Sequence, residues 1–505
     1  MSGMKSLAKD TALYGLSSIL GKLLNWLLVP LYVVKVNDYE FGEVTQLYAW
    51  MGLLLVLLTY GMETGFFRFA NKNEDSDPQK VYTTCLSSIW ATTGVFALLV
   101  LAFLRPISIS LGFAGHESYI VMLCAVICMD VLSSLPFAYL RLQKRPLRFA
   151  AIKLLFVFLN ITFNLFFLVL CPHLMENHAA LISGVYDPAK SGVFYIILSN
   201  LLSTGLMMTG LFPELFRVRY RFDWPLLKEI LRYSFPLLIL GVAGIINQTA
   251  DKIMFPMLIP DELEAKSQLG IYGANFKFAV VMIMFIQAFR FAYEPFVFGK
   301  NRNADNKKSY IEAMKYFIIF GLFIFLSVGL LLGFLPEVPV VRNHIKPEYF
   351  SGLAVVPIIM MAEFFFGIFF NLSFWYKLTD KTRWGAYFSV GGCILTIAMN
   401  ILFVPRFGYM ACAWTAFTVY LLMMLVSYFI GQRYYPIRYE VKNAVFYFVL
   451  AMVLYIAGMI APIPSTLFLL LFRVALIISY VMIVFKNDLS LSDIPYLNKF
   501  IKRQS

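Results

Sequence analysis

Lys22, Lys252, Lys277 and Arg290 fall inside long apolar runs, where a helix crossing a membrane ordinarily carries no charge. Near the centre of a span, a cation is unfavourable by ~2.5–3.5 kcal/mol even on the lenient insertion scale, so each needs a polar partner or a polar ligand. Ser18, Lys22 and Asn25 recur at i, i+4 and i+7, forming one polar stripe on an otherwise apolar helix. A second stripe holds Gly244, Asn247 and Asp251, with Gln248 and Lys252 one position round. Asp251 and Lys252 are adjacent and project about 100° apart, so they need not neutralise each other, and another helix can supply either partner. Farther on come Lys277 and then Gln287, Arg290 and Glu294 at i, i+3 and i+7, while Arg68 stands at the inner mouth of its span.

Two kinds of chemistry suit this set. Lys22, Asn25, Arg68, Lys252, Lys277 and Arg290 would line a cationic cavity for an anionic substrate, the favoured reading for the group because intramembrane charge is functional by default. Alternatively, Lys252 with Asp251, and Arg290 with Glu294 or Glu363, are ion pairs joining helices, the favoured reading for Arg290 alone. Asp251, Glu63 and Glu363 are the candidate carboxylates for proton or sodium coupling. The other embedded cations, Lys153, Arg232, Lys315 and Arg473, lie near span ends and are expected to snorkel to headgroups. The four His are scattered and the six Cys show no CxxC spacing, so no metal site is expected. No GxxxxGK[ST] motif is present, so ATP coupling, a cofactor or an enzymatic step is not expected.

The elements that carry these residues follow from composition. The 505 residues are 60% apolar and 14% charged, against roughly 45–50% and about 25% in soluble domains. Lipid must solvate the excess. Apolar runs of about 20 residues recur from Thr11–Val34 to Leu467–Val484, predicting an all-α polytopic membrane protein of about fourteen transmembrane helices. The least distinct features are the tight Pro405–Gly408 connection and the last two spans. With the N-terminus inside, alternate connections hold about 27 Lys and Arg on the cytoplasmic side and about 7 outside, Lys266 among the latter. Both termini are then cytoplasmic, and the net charge of +13 reflects topology rather than a nucleic-acid partner. The polar opening Met1–Asp10 runs into a full span without a small-residue cleavage pattern, so no cleavable signal is expected.

The chain also resembles itself. Phe41-Gly42 through Lys72 and Leu269-Gly270 through Lys300 align at a shift of about 228 residues, and Pro30 aligns with Pro256. Two pseudo-symmetric six-helix lobes around a central cavity are expected, over residues 1–220 and 221–435, with two extra helices and a tail at 436–505.

The motifs Leu7-Ala8-Lys9-Asp10-Thr11, Tyr39-Glu40-Phe41-Gly42, Gly61 to Arg68, Asp251-Lys252-Ile253, Gly270-Ile271-Tyr272-Gly273 and Phe289-Arg290-Phe291-Ala292-Tyr293-Glu294-Pro295 resemble those of the polysaccharide flippases. These are the Wzx-type translocases of the multidrug/oligosaccharidyl-lipid/polysaccharide exporter superfamily. The resemblance implies two lobes around a cavity that opens alternately to either side, and a bacterial inner-membrane location. It implies an oligosaccharide on a polyprenyl diphosphate as cargo, as in O-antigen and lipopolysaccharide assembly, with membrane lipids and polysaccharide assembly proteins as partners. Lys22, Arg68 and Lys252 match cavity cations of such flippases; Lys277 and Arg290 are added by helix geometry alone. The last two spans exceed the common twelve-helix form and are similar to those of lipid II flippases. A multidrug and toxin extrusion antiporter is the alternative of the same architecture, but cationic drugs would call for acidic cavity residues. A membrane glycosyltransferase or polymerase would need a large outer loop rich in acids or Arg/His, whereas His173–Gly192 holds only Glu176 and Asp187 as acids.

Overall fold

A computed structural model describes residues 21, 23, 26–71, 77–299, 306–379 and 381–488. Among them there is no strand, and thirteen helices are long and apolar enough to cross a membrane. Thirteen of the fourteen expected spans are therefore present, including the last two. The first, Thr11–Val34, lies mostly outside the described residues, as do Lys22 and Asn25. The helices used below are α1 (Leu28–Lys35), α2 (Asp38–Thr59), α3 (Met62–Ala70), α4 (Pro78–Ala102), α5 (Glu117–Leu142), α6 (Pro146–Leu165), α7 (Gly192–Gly210), α8 (Trp224–Leu258), α9 (Glu262–Gly299), α10 (Asn306–Leu331), α11 (Val355–Leu372), α12 (Arg383–Phe407), α13 (Tyr409–Tyr434), α14 (Val441–Ile460) and α15 (Thr466–Asn487).

Local chemistry sets the helix ends. Asn37 and Glu40 form a reciprocal capping box at the start of α2, with the Glu40 N–H donating to Asn37 Oδ1 at 2.7 Å. Asp77 and Asp223 cap α4 and α8, each followed closely by a proline that suits a first turn. Hydrogen bonds from the Leu226 N–H and from Lys80 hold the Asp223 carboxyl below the usual carboxylate range. Between α2 and α3 the chain breaks at Tyr60-Gly61, where Gly61 takes φ +72°, and between α12 and α13 it turns on Gly408 at φ +56°. That single glycine makes the tight connection expected at Pro405–Gly408.

The helices fall into two compact units. In the first, made of residues up to Lys277 with Thr382–Val419, α8 packs against α2 and α12, while α5, α6 and α7 form a second cluster. Its tightest crossing is α2 on α9. A Cβ on Gly42 would overlap the Lys266 carbonyl, and one on Gly270 would overlap the Asp38 carbonyl. The shift of about 228 residues seen in the sequence carries Asp38 to Lys266 and Gly42 to Gly270. Pseudo-equivalent residues thus touch reciprocally, as across a twofold axis.

The second unit comprises Phe278–Lys381 and Tyr420 onward. Here α14 and α15 pack on each other and on α10, which also contacts α11. Arg473 on α15 does not snorkel as expected. It is 7% exposed, and its guanidinium donates to the Gly458 and Leu330 carbonyls at 2.9 Å each, beside the Phe334 ring. Leu330 and Gly458 lie in the last turns of α10 and α14, so the cation meets the negative ends of two helices and ties three together. Arg473→Met would strand both carbonyls and is expected to lower stability by roughly 1–3 kcal/mol in thermal or denaturant unfolding. Unchanged stability would remove this role.

Candidate functional site

The first unit gathers three of the expected site residues at the meeting of α8 and α9. Asp251 and Lys252 come from α8, and Lys277 comes from α9 with Tyr272 and Phe276. Asp251 and Lys252 form the ion pair that is one of the two readings of the sequence. The flexible stem of Lys252 curls back, placing Nζ 2.9 Å from Asp251 Oδ2 and 3.3 Å from the Gln248 carbonyl. Both side chains are largely buried, at 12% and 13% exposure. From α9, the Tyr272 hydroxyl donates to Asp251 Oδ2 at 2.6 Å, and the Phe276 ring lies 3.9 Å from Lys252 Nζ. The ammonium is thus held by a carboxylate, a carbonyl and an aromatic face. Beside it, Asn247 joins α8 to α12, donating to the Ser389 carbonyl at 3.0 Å and accepting from the Thr396 hydroxyl at 3.2 Å.

Lys277 sits half-buried, within range of the Lys252 charge. Its main-chain carbonyl accepts from Trp26 Nε1 at 2.7 Å, linking α9 to the start of the chain. Among the described residues its side chain has no ion pair. Two cations therefore share a site with one carboxylate, Asp251, leaving a net positive charge.

The other expected residues are distributed differently. Arg68, at the end of α3, is exposed and stacks 4.1 Å over the Tyr233 ring. Glu63 is engaged in an ion pair with Arg141. Arg290 and Glu363 belong to the second unit, Arg290 exposed with its guanidinium 3.9 Å over the Phe370 ring and Glu363 buried. The side chain of Glu294 lies outside the described residues. Two supposed snorkelling lysines have partners: Lys153 stands 4.1 Å over the Phe137 ring, and Lys315 pairs with Asp488 and Glu440.

The largest correction concerns Lys266, which the sequence places in an outer connection. It is 1% exposed, on α9, with Nζ 3.1 Å from Glu43 Oε1, 3.0 Å from Glu262 Oε1 and 3.1 Å from the Tyr39 hydroxyl. It also donates to the Gly112 carbonyl and faces the Phe113 ring at 4.5 Å. The α9 helix begins well before its apolar run. The Glu262–Lys266 spacing of i, i+4 was the available signal.

The sequence pattern of the polysaccharide biosynthesis protein family matches residues 7–293, more than half of the chain. The chain belongs to that family. No curated protein matches it. Among solved structures it is similar to "Lipid II flippase MurJ, inward closed conformation", with TM-score 0.70 at 12% identity over 94% of this chain and 99% of the other. It is also similar to an inward-facing multidrug resistance MATE family transporter of the MOP superfamily, with TM-score 0.62 at 14% identity over 84% and 94%. At such identities the likeness is one of fold. This member of the polysaccharide biosynthesis family is thus an all-α, multi-pass membrane protein with the fold of MurJ and the MATE transporters.

Proposed function

We propose that the protein is a flippase, carrying a polyprenyl-diphosphate-linked oligosaccharide from the inner to the outer leaflet of the bacterial cytoplasmic membrane. The observation that carries this reading is the excess cation at the α8–α9 site, where Lys277 stands beside the Lys252–Asp251 pair without a carboxylate of its own among the described residues. A diphosphate leaving water needs such partners, and charge-assisted bonds from ammonium groups supply them. The family match supports a role in polysaccharide assembly, and the fold supports transport by alternating access. Lobes at 1–220 and 221–435 would enclose a cavity to which Lys22, Asn25, Arg68 and Arg290 contribute. With the inside negative, moving negative charge outward is favoured by ~2.3 kcal/mol per charge per 100 mV. Proton or sodium coupling would fall to Asp251, Glu63 or Glu363, and both termini would be cytoplasmic.

The likeness to a lipid II flippase, which extends over 94% of the chain, favours a second reading with a lipid II-type cargo. Leaflet-resolved labelling of lipid-linked oligosaccharide in cells lacking the protein tests the first reading. Inner-leaflet accumulation, restored to normal by the intact protein but not by Lys22→Ala or Lys252→Ala at equal protein level, is the expected result. Absence of accumulation would refute flipping of that cargo.

A further inference from the structure

The second unit holds a cavity of about 480 Å³ among α10, α11, α13 and α14. We propose that it binds one acyl chain of a membrane phospholipid bearing a primary amine, such as phosphatidylethanolamine. The interior is apolar, with Ile318, Phe364 and Phe448 in its wall. From Val441 to Phe448 along α14 it reaches roughly 10 Å along the helix axis. Two wall residues, Phe429 and Val445, are 65% and 54% exposed, so the cavity opens to the surface that faces lipid in a membrane. An empty apolar hollow of this size, reachable from the bilayer, is filled by hydrocarbon rather than water.

The polar end decides which lipid. Lys315, Glu440 and Asn443 line it, and Asp488 joins through its contact with Lys315. Among the described residues Lys315 pairs with two carboxylates, Asp488 and Glu440, so this cluster of three carries one negative charge in excess. Glu440 Oε2 takes the Lys315 contact at 3.6 Å and the Asn443 amide at 2.7 Å. The Glu440 side chain remains 43% exposed, and a primary ammonium could donate to it as quaternary choline cannot. Arg438 and Lys442, both exposed, flank Glu440 in the chain and suit the phosphate of the same headgroup. An acid beside bases thus reads a zwitterion with a donor at its end. All these groups stand with the Lys- and Arg-rich connections that the charge bias assigns to the inner face.

Purified full-length protein in vesicles of mixed phosphatidylethanolamine and phosphatidylglycerol, followed by mild detergent extraction and mass spectrometry of retained lipid, tests the assignment. Retention of the amine lipid over the glycerol lipid by about tenfold is expected. Ala444→Phe, which fills the cavity, should abolish retention, and Glu440→Gln, at an exposed position, should erase the preference while leaving the fold intact. Equal retention of both lipids by the unaltered protein, or retention undiminished in Ala444→Phe, would overturn the proposal. So would retention that appears only after removal of residues 489–505, which would assign the cavity to the chain's own tail. None of these readouts depends on flipping, so the two proposals fail separately.

Discussion

On the proposed flippase reading, Lys277→Met is expected to cut polysaccharide export sharply while making the protein harder to unfold. Most substitutions that inactivate a transporter weaken its fold, but Lys277 is a cation within a membrane span, and its side chain has no ion pair among the described residues. Keeping it there is unfavourable by up to ~2.5–3.5 kcal/mol, and methionine of similar length removes that term. It also removes repulsion from Lys252. Thermal unfolding in detergent should move upward, and export in cells relying on the variant should fall by roughly ten- to hundredfold, the equivalent of one lost charge-assisted contact. Lys277→Arg, which keeps the charge, should retain most export. Full export by Lys277→Met would dismiss the residue from the site. Lys252→Met is the contrasting case, because it strands the buried Asp251 carboxylate and should cost stability as well as transport.

Gly270→Ala should have, with Gly42→Ala, the largest structural effect of a Gly→Ala change among the described residues. The new Cβ would overlap the Asp38 carbonyl and come 2.8 Å from the Gly42 nitrogen, and both neighbours are main chain that no rotamer change can move. The α2–α9 crossing would have to separate, at a cost of about 3 kcal/mol or more. The buried contacts of Lys266 with Glu43 and Tyr39 span that same crossing and would be lost with it. Gly244→Ala on α8, where a Cβ meets nothing within 4 Å, is the control and should be neutral or stabilising. Equal stabilities of the two variants in unfolding experiments would contradict the crossing described above.

Much of the fold was legible because membrane spans announce themselves by length. Thirteen of the runs read from hydropathy coincide with helices, and even Gly408 marked its turn correctly. Lys266 was misplaced for the reason that hydropathy finds where a helix enters lipid, not where it begins. Glu262 to Gln268 are mostly polar in sequence but helical and partly buried in the fold. At the site, the stripe on α8 was visible and Asp251 was one of the partners open to Lys252, but projection angles could not choose it, because they describe where a Cβ points and not where four further carbons lead. Arg473 carried no sequence signal for its role. Its partners are carbonyls, which every residue possesses. That Lys277 meets no carboxylate among the described residues is likewise a fact of packing that no spacing reveals.

The reciprocal touch of Gly42 with the Lys266 main chain and of Gly270 with the Asp38 main chain has an evolutionary meaning. A surface that meets its own copy is what a gene half this length would have presented to a second molecule of itself. Duplication and fusion would then have turned a homodimer contact into an intramolecular one, freeing each copy to diverge. Lys266 has Asp38 as its counterpart and Glu43 has Ile271, so the Glu43–Lys266 ion pair has no mirrored copy, which records how far that divergence has gone.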